Sequence, residues 1–428
     1  MGTQPTLYLV HAVDTEGPLE ETLDGTFQRL ASVGIDVEPT LDNLRAIQRR
    51  ELNLGGAEDL ALEYASVQRT GYLDTWRKVE EMLRGITDDG FREKHADSEG
   101  NPYRFSWFML DLVGYRDNPR RRPMGPHEVW DQFARISAGR LGRDTVGWHH
   151  HTVPVGRHAL EYNTCWTNSD HHERILARKI IEKGWFPSCF RAGGAIERND
   201  LSGWLEQFIP FDFSCASKAE WTDDWHLTDW RGAPLEWTGY RPCFRDYRRP
   251  GGMRRWMFRC MDIDTNFYRI TAEDVAMAFR TVEEGKSAIL SFSSHDRRPI
   301  GPEVEHIMEI VRAAADRHPG VRWIHAGAED AARAVAGMPD DPAPEFQLTQ
   351  EGRLIRIRAD REIFGPTPFL AVEEAGGVFF RDNPTIESPT EWAWWVPRPT
   401  QTIHIGVAAA GLSGRVGSKT TQFEGREA

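Results

Sequence analysis

Residues 145–152 read TVGWHHHT, a β-branched entry and an aromatic followed by three consecutive histidines. An extended chain turns successive side chains to opposite faces, so His149 and His151 share one side while Trp148 and His150 take the other. Histidine runs are commonly solvated loops. Here the apolar lead-in makes the run the end of a strand, and its chemistry depends on which other strands finish beside it.

Seven further short apolar runs are TLYLVHAV (6–13), SWFMLDLV (106–113), SCFRAG (188–193), FDFSCA (211–216), WMFRCMDI (256–263), SAILSFSSH (287–295) and VRWIHAG (321–327). Most are apolar on both faces, which suits parallel strands covered by helices rather than a half-exposed antiparallel sheet. Helical periods fill the gaps. Asn199 or Asp200 caps a stripe of Leu201, Trp204, Leu205, Phe208 and Ile209. Thr271 opens another, with Val275, Phe279 and Val282 inward and Gly285 past its end. Val304, Ile307, Met308 and Val311 repeat the theme. This alternation predicts an α/β fold, a (β/α) barrel.

Residues 40–105 form an insertion after the first strand, with a helix in DTWRKVEEMLRGI, expected on the barrel rim. MPDDPAPEF reads as a proline-rich linker, and the short runs after it (RLIRIRAD, PFLAVEEA, GVFFRD, EWAWWVP, QTIHIGVAA) as strands of a small all-β domain. The division predicted is a catalytic barrel over 1–337, a linker over 338–346, a β-rich domain over 347–410 and a flexible tail over 411–428.

Net charge is −13, with 65 acidic against 52 basic residues, which argues against a nucleic-acid partner. The Arg clusters (Arg120 to Arg122, Arg248 with Arg249, Arg254 with Arg255) read as surface or anion-binding loops. Five cysteines, an odd number without a close pair, fit reduced thiols in a cytoplasmic protein. No apolar run approaches the ~20 residues that span a bilayer, and the N-terminus carries no leader pattern.

In a (β/α) barrel the C-terminal strand ends converge on one face. Those ends supply His11, Asp14 and Glu16 from the first strand and Asp111 from the second. They add His149, His150 and His151 from the third, Arg191 from the fourth, and His295 and Asp296 from the seventh. Two imidazoles and one carboxylate make a three-ligand metal site that leaves a position open for water.

These motifs, in this order, resemble the polysaccharide deacetylase (NodB-like) superfamily. VDTEGP stands where that family has its acidic first motif, GWHHHT for the histidine motif, FRAGG for the arginine motif and SFSSH for the late histidine motif. FDFSCAS matches the segment between the last two. The resemblance spans residues 5 to 335 and implies a distorted (β/α) barrel of the NodB type. It also implies a metal-dependent hydrolase deacetylating an N-acetylated sugar or glycan, with a divalent metal, zinc by preference, as cofactor.

Carried over by position, the metal ligands fall on Glu16, His149 and His151, the base on Asp14, its orienting arginine on Arg191 and the general acid on His295. Arg191 would keep Asp14 ionised, and a protonated His295 would serve the leaving amine. Two departures mark a divergent branch. Thr15 separates Asp14 from Glu16 where the family has adjacent aspartates, which leaves open which acid meets the metal. The histidines stand two apart rather than four, the latter spacing falling on Val153.

Asp111 and Trp148 are candidates for substrate contact, Asp111 equally for capping the following helix. WTDDWHLTDW (221–230) could line a sugar cleft. His171 and His172 read as surface residues at a helix start. LNLGGAED and RPGGMRR lack the strand–loop–helix context of a nucleotide site, and no nucleophile elbow is present. Two alternatives stand beside deacetylation: hydrolysis of a non-sugar C–N amide, and a degenerate barrel that binds glycan through its β-rich domain.

Overall fold

The computed structural model describes residues 4–425 except 21, 117, 119–120, 122–123, 138–142, 159–164, 219–221, 224–227 and 264–267. Seven parallel strands close into a barrel: Leu7–Thr15, Phe105–Met109, Thr145–His150, Cys189–Ala192, Phe211–Cys215, Trp256–Asp262 and Ala288–His295. They pair in chain order, and the seventh closes the ring against the first along its length, Leu7 beside Ala288 through Asp14 beside His295. Every residue of the second, fourth, fifth and seventh strands is buried, because helices cover the outside and side chains fill the inside.

Eight strands were expected in the ring, and seven form it. The eighth run contributes only Trp323–His325, which pairs with Leu7–Leu9 on the edge that the second strand leaves bare. The second strand engages the first only from His11 onward. One edge of one strand thus serves two partners, and the short one lies outside the ring.

Local chemistry places the helices. Thr271 caps Ala272–Glu283 with a full capping box, its hydroxyl accepting from the Asp274 amide while the Asp274 carboxylate accepts from the Thr271 amide. Thr75 caps Trp76–Ile86 within the insertion, and Ile47, Ala61 and Tyr64 of the insertion form a small core with Phe27, Leu30 and Ile35, which precede it. Asn199–Leu205 starts without a side-chain cap, Arg198 standing in the cap position. Among the described residues no helix is long and apolar enough to cross a membrane. Cys189, Cys215 and Cys260 are buried free thiols.

Two corrections concern the outside of the barrel. His172 is buried, its ring 4.6 Å from that of Trp166 and 5.1 Å from that of Trp204, because the start of helix His171–Lys183 turns inward. Arg255 is fully buried between Glu197 and Asp212, each 3.1 Å from its guanidinium.

Residues 338–345 carry no regular structure, although Asp340 pairs with Arg333 and Arg415. Beyond them two four-stranded antiparallel sheets face each other. One orders Phe346–Glu351, Leu354–Ala359, Glu391–Trp395 and Thr385–Ser388. The other orders Val378–Asp382, Phe369–Glu374, Thr402–Ala410 and Val416–Gln422. Ile355, Ile357, Leu370, Val372, Trp392, Trp394, Ile405 and Val407 fill the space between them. The alternate residues Phe369, Ala371 and Ala408 pack outward with Leu176, Ile180, Phe186 and Phe208 of the barrel's helical layer. The expected flexible tail is a correction: Val416–Gln422 pairs along Thr402–Ala410, and Phe423 is buried.

Candidate metal centre

The register of the barrel brings the strand-end residues together. Asp14 on the first strand lies directly beside His295 on the seventh, and His149 on the third beside Arg191 on the fourth. Immediately after the first strand the chain turns at Gly17, whose φ is 76°. The Asp296 carboxylate accepts the Glu16 amide at 2.9 Å and the Gly17 amide at 2.8 Å, tying that turn to the end of the seventh strand. Burial above all pushes the Asp296 carboxyl up to about 6.

Glu16 is the acid that faces the Nε2 atoms of both histidines, whereas Asp14 Oδ1 lies 3.6 Å from His149 Nδ1, on the other side of that ring. Its Oε1 lies 3.5 Å from His149 Nε2 and 3.4 Å from His151 Nε2, and the two Nε2 atoms are 3.2 Å apart. In a tetrahedral site with metal–ligand bonds of ~2.0–2.1 Å, ligand atoms stand about 3.3–3.4 Å from one another. The three observed edges match that spacing. His149 Nδ1 is 2.9 Å from the Arg191 carbonyl. A carbonyl only accepts, so Nδ1 carries the hydrogen and Nε2 is the ring atom turned toward Glu16 and His151. A Cβ on Gly193 would overlap the His151 ring, so the first glycine after the fourth strand leaves room for that ligand. Glu16 and His149 are buried and His151 is partly open, which gives the trio an approach from solvent. A group of this kind can hold a metal ion.

Asp14 faces a different partner. Arg191 Nε donates to its Oδ1 at 2.8 Å and Oδ2 at 3.0 Å, while the same guanidinium reaches the Phe213 carbonyl at 2.9 Å and Ser293 Oγ at 2.8 Å. His295 Nε2 stands 3.6 Å from Asp14 Oδ2 and 4.0 Å from Glu16 Oε1. Burial first, then the Arg297 charge, hold the His295 imidazole well below its ordinary pKa. Asp262, wholly buried at the end of the sixth strand, lies behind it, 3.8 Å from Nδ1.

The outer oxygen of Glu16, Oε2, accepts from both Arg121 and Arg297. Burial alone would raise the Glu16 carboxyl, but Arg297, Arg121 and the two histidines more than offset it and hold it well below the usual carboxylate range. Arg121 had read as part of a surface cluster and is instead buried; Arg120 and Arg122 lie outside the described residues. Arg121, Arg297 and Asp262 are site neighbours that the motifs did not single out. Asp262 ends a strand and was open to the strand-end reading; the two arginines carry no local signal.

Two candidates lie apart from this group. The Asp111 carboxylate is 2.8 Å from Lys179 Nζ and accepts the His127 amide at 3.0 Å, just before helix Glu128–Ser137. Trp148 is fully buried on the opposite face of the third strand, packed on His150, Trp166 and Phe190. Half of WTDDWHLTDW lies outside the described residues; its last residue, Trp230, is buried and donates to the Ala195 carbonyl at 2.9 Å.

A closed seven-stranded parallel barrel with a buried Glu/His/His group fits the class that the motifs resemble. No family model and no curated protein matches the chain. Among solved structures it is similar to one from Parabacteroides distasonis described as a "putative glycoside hydrolase/deacetylase", at 10% identity and a TM-score of 0.38, covering 89% of this chain and 85% of that one.

Proposed function

We propose that the protein is a metal-dependent amide hydrolase whose substrate is an N-acetylated sugar, free or within a glycan. The observation that carries this reading is the triangle of Glu16 Oε1, His149 Nε2 and His151 Nε2, with edges of 3.2–3.5 Å, beside an arginine-held Asp14 and a buried His295. Glu16, His149 and His151 would hold the ion, and two imidazoles with one carboxylate suit zinc. When bound, such a cation supplies Lewis acidity, making water acidic enough to attack near neutral pH and drawing charge from a carbonyl.

The remaining work falls to side chains. Asp14 takes the proton of the attacking water, and Arg191, bonded to both its oxygens, stops the carboxylate from rotating away. His295, neutral at rest and 3.6 Å from Asp14 Oδ2, collects that proton and hands it to the nitrogen as the C–N bond breaks. The amine leaves carrying that one proton, the water oxygen stays on the carbonyl carbon with its other hydrogen as the carboxylic acid, and Asp14 and His295 return to their starting states.

Glutamate in place of the second motif aspartate, with its outer oxygen bound by two arginines, favours a second reading on the same scaffold: hydrolysis of a non-sugar C–N amide. Zinc-loaded protein assayed on a panel of N-acetylated sugars and simple amides separates the two by whether acetate or another acid is released. His149→Ala should abolish turnover of whichever substrate responds. Turnover unchanged by that substitution would refute both readings.

A further inference from the structure

We infer that Arg121 and Arg297 act together as a clamp that restricts Glu16 to one ligating oxygen and lowers the affinity of the site for its ion. The inference rests on the metal-centre reading above. A carboxylate offers two oxygens and can chelate a cation with both. Here Oε1 faces His149 and His151, while Oε2 accepts from two guanidinium groups at once.

The arginines are themselves fixed. Arg121 Nη1 donates to the backbone carbonyls of Glu16, Gly17 and Pro18 at 2.7, 3.1 and 3.2 Å, so it grips the turn as well as the side chain. Arg297 follows His295 by two residues, and its side chain is 19% exposed at the mouth of the site. Glu16 itself is 4% exposed, so water screens these charges weakly.

Two fixed positive charges on the outer oxygen oppose a divalent cation on the inner one. They draw charge from the donor and leave the ion less neutralised, and therefore more polarising toward what it meets next. They also hold Oε2 away from the ion, which keeps the coordination number low and a position open. A site made only for tight structural binding would gain nothing from this arrangement.

Arg297 is the lever to test, because Arg121 also holds the backbone. Full-length protein is stripped with chelator. Zinc affinity is then measured by competition with a chromophoric chelator, and Co(II) absorption intensity reports the coordination number. Arg297→Gln should bind zinc about tenfold more tightly or better, and Arg121→Gln/Arg297→Gln, in which neither arm holds Oε2, should in addition show weaker Co(II) absorption as Glu16 becomes free to chelate. Arg297→Lys, which keeps the charge, should keep wild-type affinity. Arg121→Gln should move affinity in the same direction and serves if Arg297→Gln fails to fold. If the wild type binds zinc but Arg297→Gln binds it equally or less tightly, the clamp is a positioning device alone and this inference is overturned. If the wild type takes up no zinc or cobalt, the metal-centre reading falls and the inference with it.

Discussion

Arg191 joins the two halves of the site with one residue. Its Nε donates to Asp14 Oδ1 at 2.8 Å, and its backbone carbonyl lies 2.9 Å from His149 Nδ1. The Asp14 carboxylate and the His149 imidazole are therefore oriented by the same short strand. Arg191→Lys keeps a positive charge but loses the planar fork, and should lower kcat/KM roughly 100-fold with little change in folding. Arg191→Ala leaves Asp14 buried and unpaired, which should cost about 3–5 kcal/mol of stability. Steady-state kinetics and urea unfolding separate the two. A lysine variant with wild-type kinetics would mean that Asp14 needs only a nearby charge.

His149 and His150 are adjacent in sequence and opposite in role. His149 points into the barrel toward Glu16, whereas His150 packs on Trp148, with ring centroids 5.3 Å apart, and on Trp166. His149→Ala should therefore reduce bound zinc from one equivalent to near none. His150→Leu should leave zinc content unchanged. Elemental analysis of dialysed protein reads both, and zinc lost equally in the two variants would contradict the assigned facing.

What could be read from the sequence divides along physical lines. That Asp14, Glu16, His149, His151, Arg191 and His295 lie together at one end of the barrel could be read because strand ends converge and strand periodicity is two; their individual roles rest on the resemblance alone. Arg121 could not: its partner Glu16 is 105 residues away, and nothing within an arginine run distinguishes a guanidinium that turns inward. The run VRWIHAG looks like any barrel strand, since only pairing reveals that the first strand has room for three of its residues. Val416–Gln422 reads as a tail because an edge strand needs few apolar side chains, and VGSKTTQ has little but its pairing to betray it.

Acid should unfold the protein earlier than its carboxylates alone would dictate. Burial holds the imidazoles of His172 and His325 down to about 4, and burial with the nearby His325 charge holds that of His11 down to about 3. Unfolded, each ring titrates near ~6.5. Below that pH the unfolded chain binds protons that the native chain refuses, so stability is fully present above about pH 6.5 and drains away as pH falls toward about 4. Each ring is worth up to about 3 kcal/mol over that range. Urea midpoints measured from pH 7 to pH 4 should fall, and His172→Phe, which keeps a ring between Trp166 and Trp204, should flatten part of the slope. A midpoint independent of pH across this interval would rule the linkage out.

The β-rich region should be held to the barrel by close packing that leaves no room at one glycine. Gly406 lies on strand Thr402–Ala410 against helix His171–Lys183, and a Cβ there would come 2.7 Å from Ile180 Cγ2 and 3.3 Å from Ile181 Cγ1. Gly406→Ala must push the strand off the helix or force Ile180 out of its rotamer, at about 1–3 kcal/mol. Ile180→Ala removes a fully buried side chain at about 2–5 kcal/mol. In the double variant the added methyl occupies space vacated by isoleucine, so the combined cost should be clearly less than the sum. Thermal unfolding of the four proteins closes the cycle. Strict additivity would show that the two residues do not share a contact, and that the sandwich is docked by Phe369 and its neighbours without help from this approach.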